Sequence, residues 1–200
     1  MNKKINFRSV IILFILFLLS GLHAEKWVVD TTRSNQVIFY ANATLGSFEG
    51  KTNHIRGYLM WEGNDTLSTG KAYFEVDLST LDTGIGLRNS HMRNKYLETE
   101  KYPRAIFEGD MIDWKTVSAG KHEISATGIL KIHGEIKEIS LISTLQQVPE
   151  GYRSITNFEL NITDFGIEKP GFLLTSMDEQ VRLRILLYMT GEETMKQETE

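Results

Sequence analysis

HEISATGILKI, residues 122–132, decides the fold class. Ile124, Ala126, Gly128, Leu130 and Ile132 fall on one side of an extended chain, and Glu123, Ser125, Thr127, Ile129 and Lys131 fall on the other. A helix would scatter the apolar set around its axis, whereas a strand with one face on a core and one face in water requires this alternation. The same period runs through KAYFEVDL (71–78), where Ala72, Phe74, Val76 and Leu78 share a face. It returns in TNFELNI (156–162), with Phe158, Leu160 and Ile162 inward, and in QVRLRILLY (180–188), with Val181, Leu183, Ile185 and Leu187 opposed to Arg182 and Arg184. Turn-forming clusters separate these runs: EGND (62–65), SAG (118–120), HGE (133–135), VPEG (148–151) and EKPG (168–171). Pro103, Pro149 and Pro170 all lie in breaks, where no ladder hydrogen bond is lost. The spacing predicts about eight antiparallel strands, forming an up-and-down barrel or a sandwich.

One stretch departs from the pattern. LDTGIGLRNSHMRNKYLETEKYP (81–103) collects Arg88, His91, Arg93, Lys95, Glu98 and Glu100, and its apolar residues follow no strand period. Leu87, Met92, Tyr96 and Leu97 predict a short helix over 87–97, with Met92 and Tyr96 one turn apart on one face. Pro103 stops it from running on. Its narrow apolar side needs a surface, and the open end of a barrel supplies one. A catalytic reading of this cluster requires an acid and a base converging on a pocket. Glu98 and Glu100 fall at or beyond the helix end, and no complementary group stands out elsewhere. A solvated helix surface is the better account, with Arg88 and His91 placed to meet a ligand headgroup at the rim.

Other chemistry is poorly supported. His54, His91, His122 and His133 lack the spacing that converges metal ligands. The GIG of 84–86 lacks the third glycine and the strand-to-helix setting of a phosphate loop. Neither a metal nor a cofactor is expected.

The N-terminus has the layout of a signal peptide: MNKKINFRS, the apolar run VIILFILFLL, then SGLHA. Ten apolar residues fall short of the roughly 20 that span a bilayer as a helix. Cleavage is expected after Ala24, which predicts an exported, periplasmic chain that does not span the membrane once processed. Loss of Lys3, Lys4 and Arg8 from 22 basic residues leaves 19 against 26 acids, a formal charge of −7 that argues against nucleic acid. The chain has no cysteine, hence no disulfide framework and no thiolate chemistry. Residues 25–190 form one expected domain, and the acidic tail GEETMKQETE (191–200) is predicted to be disordered.

Four blocks in register carry a resemblance: WVVDTTRSNQVIFYA (27–41), VDLSTLDTGIGLRNSHMRNKYLETEKYPRAIFEG (76–109), TGILKIHGEIKEISL (127–141) and DFGI (164–167). Through them the chain resembles the YceI family of exported, lipocalin-like lipid-binding proteins. The resemblance implies an all-β, eight-stranded antiparallel up-and-down barrel with one short helix between strands. It further implies an interior that holds a long apolar chain such as a polyisoprenoid. Two departures stand out: Asn89 follows the helix arginine where the family commonly has Asp, and Ile162 stands where a basic residue is frequent.

From residues alone, small inward positions (Ala41, Ala72, Ala105, Ala126, Gly128) facing Phe39, Phe74, Phe107 and Phe158 fit either a tunnel or a packed, tapered core. The resemblance implies the tunnel. Its expected lining is Phe39, Phe74, Val76, Phe107, Ala126, Leu130, Phe158, Leu160 and Leu183, with Met92 and Tyr96 as a lid and Arg88 and His91 at the mouth. An Ala126→Trp replacement is expected to block such a tunnel while leaving the fold intact. The expected function is a non-enzymatic lipid carrier, with homodimerisation open to it. The alternatives are a side-chain-filled barrel acting as an envelope stress or interaction module, and a lipid-modifying enzyme.

Overall fold

The computed structural model describes residues 24–62, 70–172 and 175–192. All of the expected signal peptide but Ala24, the tip of the EGND turn and all but the first two residues of the acidic tail lie outside these. The strands in chain order are β1 (Ala24–Val29), β2 (Gln36–Ala41), β3 (Phe48–Thr52), β4 (Ile55–Glu62), β5 (Gly70–Asp77), β6 (Arg104–Ser118), β7 (Lys121–Ile132), β8 (Glu135–Val148), β9 (Gly151–Asn161), the short pair β10 (Gly171–Phe172) and β11 (Thr175–Ser176), and β12 (Gln180–Gly191). All pairings are antiparallel and, apart from the β10–β11 ribbon, each strand joins one sheet.

That sheet closes. β1 pairs with β4 on one side and β12 on the other, while β2 pairs with β12 and β3. β1 and β2 are therefore two halves of one bent strand, and β3 and β4 are two halves of the next, which makes a closed barrel of eight. The expected fold is the observed one.

The bends have local causes. In the first, Asn35 is 2% exposed and replaces the missing ladder bonds: its Nδ2 donates to the Asp30 carbonyl (2.6 Å), and its Oδ1 accepts from the Tyr188 amide (2.8 Å). In the second, the Thr52 hydroxyl accepts the His54 amide (3.0 Å) and meets the Thr80 hydroxyl at 2.6 Å.

The inward face follows the predicted alternation, with Ile124, Ala126 and Leu130 on β7 and Val181 and Leu187 on β12 all buried. Several small residues along the barrel wall leave room for a ring or for a neighbouring backbone. A Cβ on Gly50 would lie 2.2 Å from the Phe39 ring, and one on Gly57 would lie 2.6 Å from the Phe74 ring. Gly57 also has φ 153°, open to glycine and strained for anything else. Gly128 faces Gly109 across the β6–β7 ladder, and a Cβ there would come within 2.4 Å of the Gly109 Cα. These glycines are seats for rings and for close backbone approach, not openings.

The two ends differ. At one end the short β6–β7 and β8–β9 turns let rings from five strands meet. Trp27 packs on Trp61 (6.2 Å between centroids), Trp61 on Trp114 (5.3 Å), Trp114 on His122 (4.8 Å), His122 on Tyr152 (6.4 Å) and Tyr152 on Trp27 (4.8 Å). Burial pushes the Tyr152 phenol above its ordinary 10.0, with the Glu25 carboxylate adding to the effect. At the other end, residues 78–103 cross from β5 to β6. They carry α1 (Gly86–His91), which continues as a π turn over Met92–Tyr96. The helix expected over 87–97 thus has a wider second turn, closed by the Leu97 amide on the Met92 carbonyl (2.8 Å).

Candidate functional site

The crossing segment does not lie flat on the barrel. Between it, β12, the end of β9 and the β10–β11 ribbon is a cavity of about 630 Å³, inside the usual range for small-molecule pockets of roughly 300–1,000 Å³. Its walls are almost wholly apolar. Phe39 of β2, Leu160 of β9, and Val181 and Leu183 of β12 form the floor and side. Ile162 opens a 3₁₀ turn (Ile162–Phe165) and Ile167 follows it, after Gly166, whose φ of 67° the glycine permits. Met92, Tyr96 and Leu97 come down from the π turn, and Leu45 and Phe48 close the opposite side.

The cover is stitched in place by polar groups. Asn89 Oδ1 accepts from the Thr83 amide (2.8 Å) and hydroxyl (2.7 Å), while its Nδ2 donates to Asp82 (2.6 Å). Donation from the Gly84 amide, with that from Asn89 second, holds the Asp82 carboxyl below the usual 3.8. An aspartate at position 89 would set two carboxylates against each other, so the Asn89 departure has a local physical reason. Arg93 donates to the Leu81 carbonyl through Nη2 (2.6 Å). Farther along, His133 bridges the Glu98 carboxylate (2.8 Å) and the Phe165 carbonyl (3.1 Å), tying the segment to the β7–β8 turn. Glu98 and His133 are the two non-glycine residues with positive φ among those described, at 45° and 53°.

Charge is confined to the mouth. Arg88 donates to the Thr83 hydroxyl (2.8 Å) and carbonyl (2.7 Å), and its guanidinium lies 4.3 Å over the Phe48 ring. His91 lines the same opening and is exposed. A positive, hydrogen-bonding rim on an apolar chamber suits an amphiphile with its tail inside and its polar end outside. Among the described residues, no group of three potential metal ligands is assembled.

Of the residues singled out from sequence, Phe39, Arg88, His91, Met92, Tyr96, Leu160 and Leu183 meet around this cavity. Phe74, Val76, Phe107, Ala126, Leu130 and Phe158 lie outside its lining, packed in or against the core cluster farther down the barrel. The lining expected from sequence did not include Leu45, Phe48, Ile85, Ile132, Ile167, Pro170 or Met177, all of which line the cavity. Most of them sit on turns, where no period marks an inward position. The GIGL of 84–87 held a signal, since Ile85 and Leu87 are apolar residues that no strand period explains.

A closed antiparallel barrel with one plugged end and one hollow, apolar end defines a lipocalin-like binding barrel. A family model described as a YceI-like domain matches residues 27–189, and the chain belongs to that family. It is 31% identical over 168 residues to a UPF0312 protein of Pseudomonas savastanoi, across 78% of this chain and 83% of that one. A UPF0312 protein of Vibrio campbellii is 28% identical over 124 residues, 60% of this chain, and the match spans 63% of that protein's length. Among solved structures, Burkholderia cenocepacia BcnA superposes with a TM-score of 0.64 at 17% identity, covering 80% of this chain and 98% of that one. A polyisoprenoid binding domain from Saccharophagus degradans gives 0.63 at 17% identity, covering 86% and 99%. At that identity the two structures establish the fold.

Proposed function

We propose that this chain is a non-enzymatic carrier that holds a polyisoprenoid or similar long-chain lipid by its tail, and that the layout of residues 1–24 directs its export to the periplasm. The observation that carries the reading is the apolar chamber under the π turn, with Arg88 and His91 at its mouth. The Saccharophagus neighbour, a polyisoprenoid binding domain, supports the same reading.

Size narrows the cargo. A chamber of about 630 Å³ is of small-molecule size, so it suits one stretch of an apolar chain. A longer polyisoprenoid would leave its remainder at the mouth. Retention would come from area, at about 25 cal/mol per Å² of apolar surface removed from water. Such binding requires no dedicated polar partner along the tail.

Organic extraction of natively purified protein followed by mass spectrometry tests the reading. The expected result is an unaltered long-chain lipid in stoichiometric amount. An extract without lipid, together with failure of the emptied protein to take up an apolar fluorescent probe, overturns it. A chemically altered lipid after incubation would point to an enzyme instead.

A further inference from the structure

The cavity is rimmed by side chains that water does not favour. Leu45 is 86% exposed, Leu87 70% and Ile85 52%, and all three line the mouth. A lone exposed leucine is ordinary. Three around one opening, continuous with an apolar chamber, form a patch of the kind that marks an interaction surface. They sit on ordered supports. Leu45 rides a turn closed by the Gly46 amide on the Ala43 carbonyl (3.0 Å) and tied to the β10–β11 ribbon through Thr44 and Ser176 (3.0 Å). Leu87 belongs to α1. The other large apolar residues that are exposed, Ile112 and Val117 on β6, Ile129 on β7, and Ile136 and Ile142 on β8, lie on strands and outside the cavity lining.

Charge says what covers the rim. In a chain of formal charge −4, residues 85–97 carry Arg88, Arg93 and Lys95 and no acid. Of the flanking acids, Glu98 meets His133 and Asp82 accepts from the Gly84 amide and Asn89, while Glu100 stands exposed beyond the helix end. The loop 42–47 is uncharged. Apolar side chains standing among cations match the interface of an anionic bilayer, where the first enter the headgroup boundary and the second meet lipid phosphates. Two copies meeting mouth to mouth would instead oppose two positive rims.

We propose that the mouth of the barrel docks on an anionic lipid bilayer through Leu45, Ile85 and Leu87, assisted by Arg88, Arg93 and Lys95. A chain would then pass between bilayer and chamber without crossing water. That passage rests on the carrier reading, whereas the docking does not.

The absence of cysteine allows a site-specific test. Single variants Leu45→Cys, Leu87→Cys and, at the plugged end, Lys121→Cys of the full chain are labelled with an environment-sensitive nitrobenzoxadiazole. Each is mixed with vesicles of phosphatidylcholine alone or with added phosphatidylglycerol. The labels at 45 and 87 are expected to shift to the blue and brighten severalfold on the anionic vesicles, with the label at 121 unchanged. Adding Lys95→Ala is expected to lower the partition coefficient about fivefold, since one cation near an anionic surface contributes that factor. Mouth labels that stay aqueous, a response equal on both vesicle types, or a response at 121 in place of the mouth would each overturn the proposal. So would brightening that follows protein concentration without vesicles, which indicates a second copy on the patch. Failure of the carrier reading shows separately, as an extract empty of lipid, and leaves these label readings as they are.

Discussion

The two ends of this barrel are made from the same alternating strands, yet one is solid and the other hollow. At the solid end, short hairpins bring strands together, and Trp27, Trp61, Trp114, His122 and Tyr152 meet ring to ring over Leu145 and Met189, which are 1% and 2% exposed. At the hollow end, the excursion from Leu78 to Pro103 and the turn after β9 hold their apolar residues off the barrel floor. Phe39, Leu160 and Leu183 are therefore left half-buried around the cavity. Inward alternation makes a barrel interior, and the lengths and polar tethers of the connections decide whether that interior is full.

The largest expected effect tests this contrast in stability. Leu145→Ala should cost about 2–5 kcal/mol, because the packed end cannot close over the void. Leu183→Ala, on a wall that already lacks neighbours on one side, should cost about half as much or less. Urea unfolding of the two variants measures the difference. Equal costs would mean that the hollow end is as tightly packed as the plugged one.

Binding should show the reverse order. Leu183→Trp puts an indole into the chamber and should weaken uptake of an apolar fluorescent probe about tenfold or more, which corresponds to about 1.4 kcal/mol or above. Ala126→Trp addresses the expectation of a tunnel reaching mid-barrel. Ala126 is 9% exposed within the core cluster and outside the cavity lining, so the indole would overpack the core. The expected cost is about 1–3 kcal/mol of stability, with binding by the remaining folded protein retained. Loss of binding at unchanged stability would extend the chamber down the barrel.

The division between legible and illegible residues follows from the same physics. The strand faces were legible because burial on one side imposes period two, as at 122–132 and 180–188. Phe39, Leu160 and Leu183 were found this way. Phe74, Phe107 and Leu130 share that inward pattern but lie where opposing rings and glycine seats fill the space, and no linear pattern reports how far along a barrel the packing closes. The segment at 81–103 was legible as an anomaly, which located Arg88, His91, Met92 and Tyr96. Its π turn was not, since Met92 and Tyr96 fit an ordinary helix face equally well. Nor were the two bends that split the first strands, because an Asn35 side chain standing in for ladder bonds is a tertiary contact.

A smaller effect separates the cover from the barrel beneath it. Asn89→Asp sets a carboxylate against Asp82 in place of the Nδ2 donor at 2.6 Å. The expected outcome is faster amide hydrogen exchange over residues 83–97, with exchange in β7 and β8 unchanged. Global unfolding free energy should stay within about 0.5 kcal/mol of the parent, as for other surface changes. Faster exchange throughout the barrel would tie the cover to the global fold.

The smallest effect is a pH dependence with a definite sign. The Asp82 carboxyl is held below its ordinary 3.8 by the Gly84 amide first and Asn89 second. Its folded-state value is depressed, so its contribution to holding the 82–89 turn is fully present above pH 3.8 and is lost as pH falls through the lower folded value. Protonation removes the charge that both donors point at, and the Gly84 amide loses its strongest acceptor. Acid titration followed by NMR should therefore move the Gly84 and Asn89 side-chain resonances below the ordinary carboxylate range, while signals of the plugged end around Trp61 and Trp114 stay still over that step. In an Asp82→Asn variant the step at Gly84 should vanish. Its persistence there would assign the transition to another carboxylate and remove Asp82 from the set of tethers that keep the cover over the chamber.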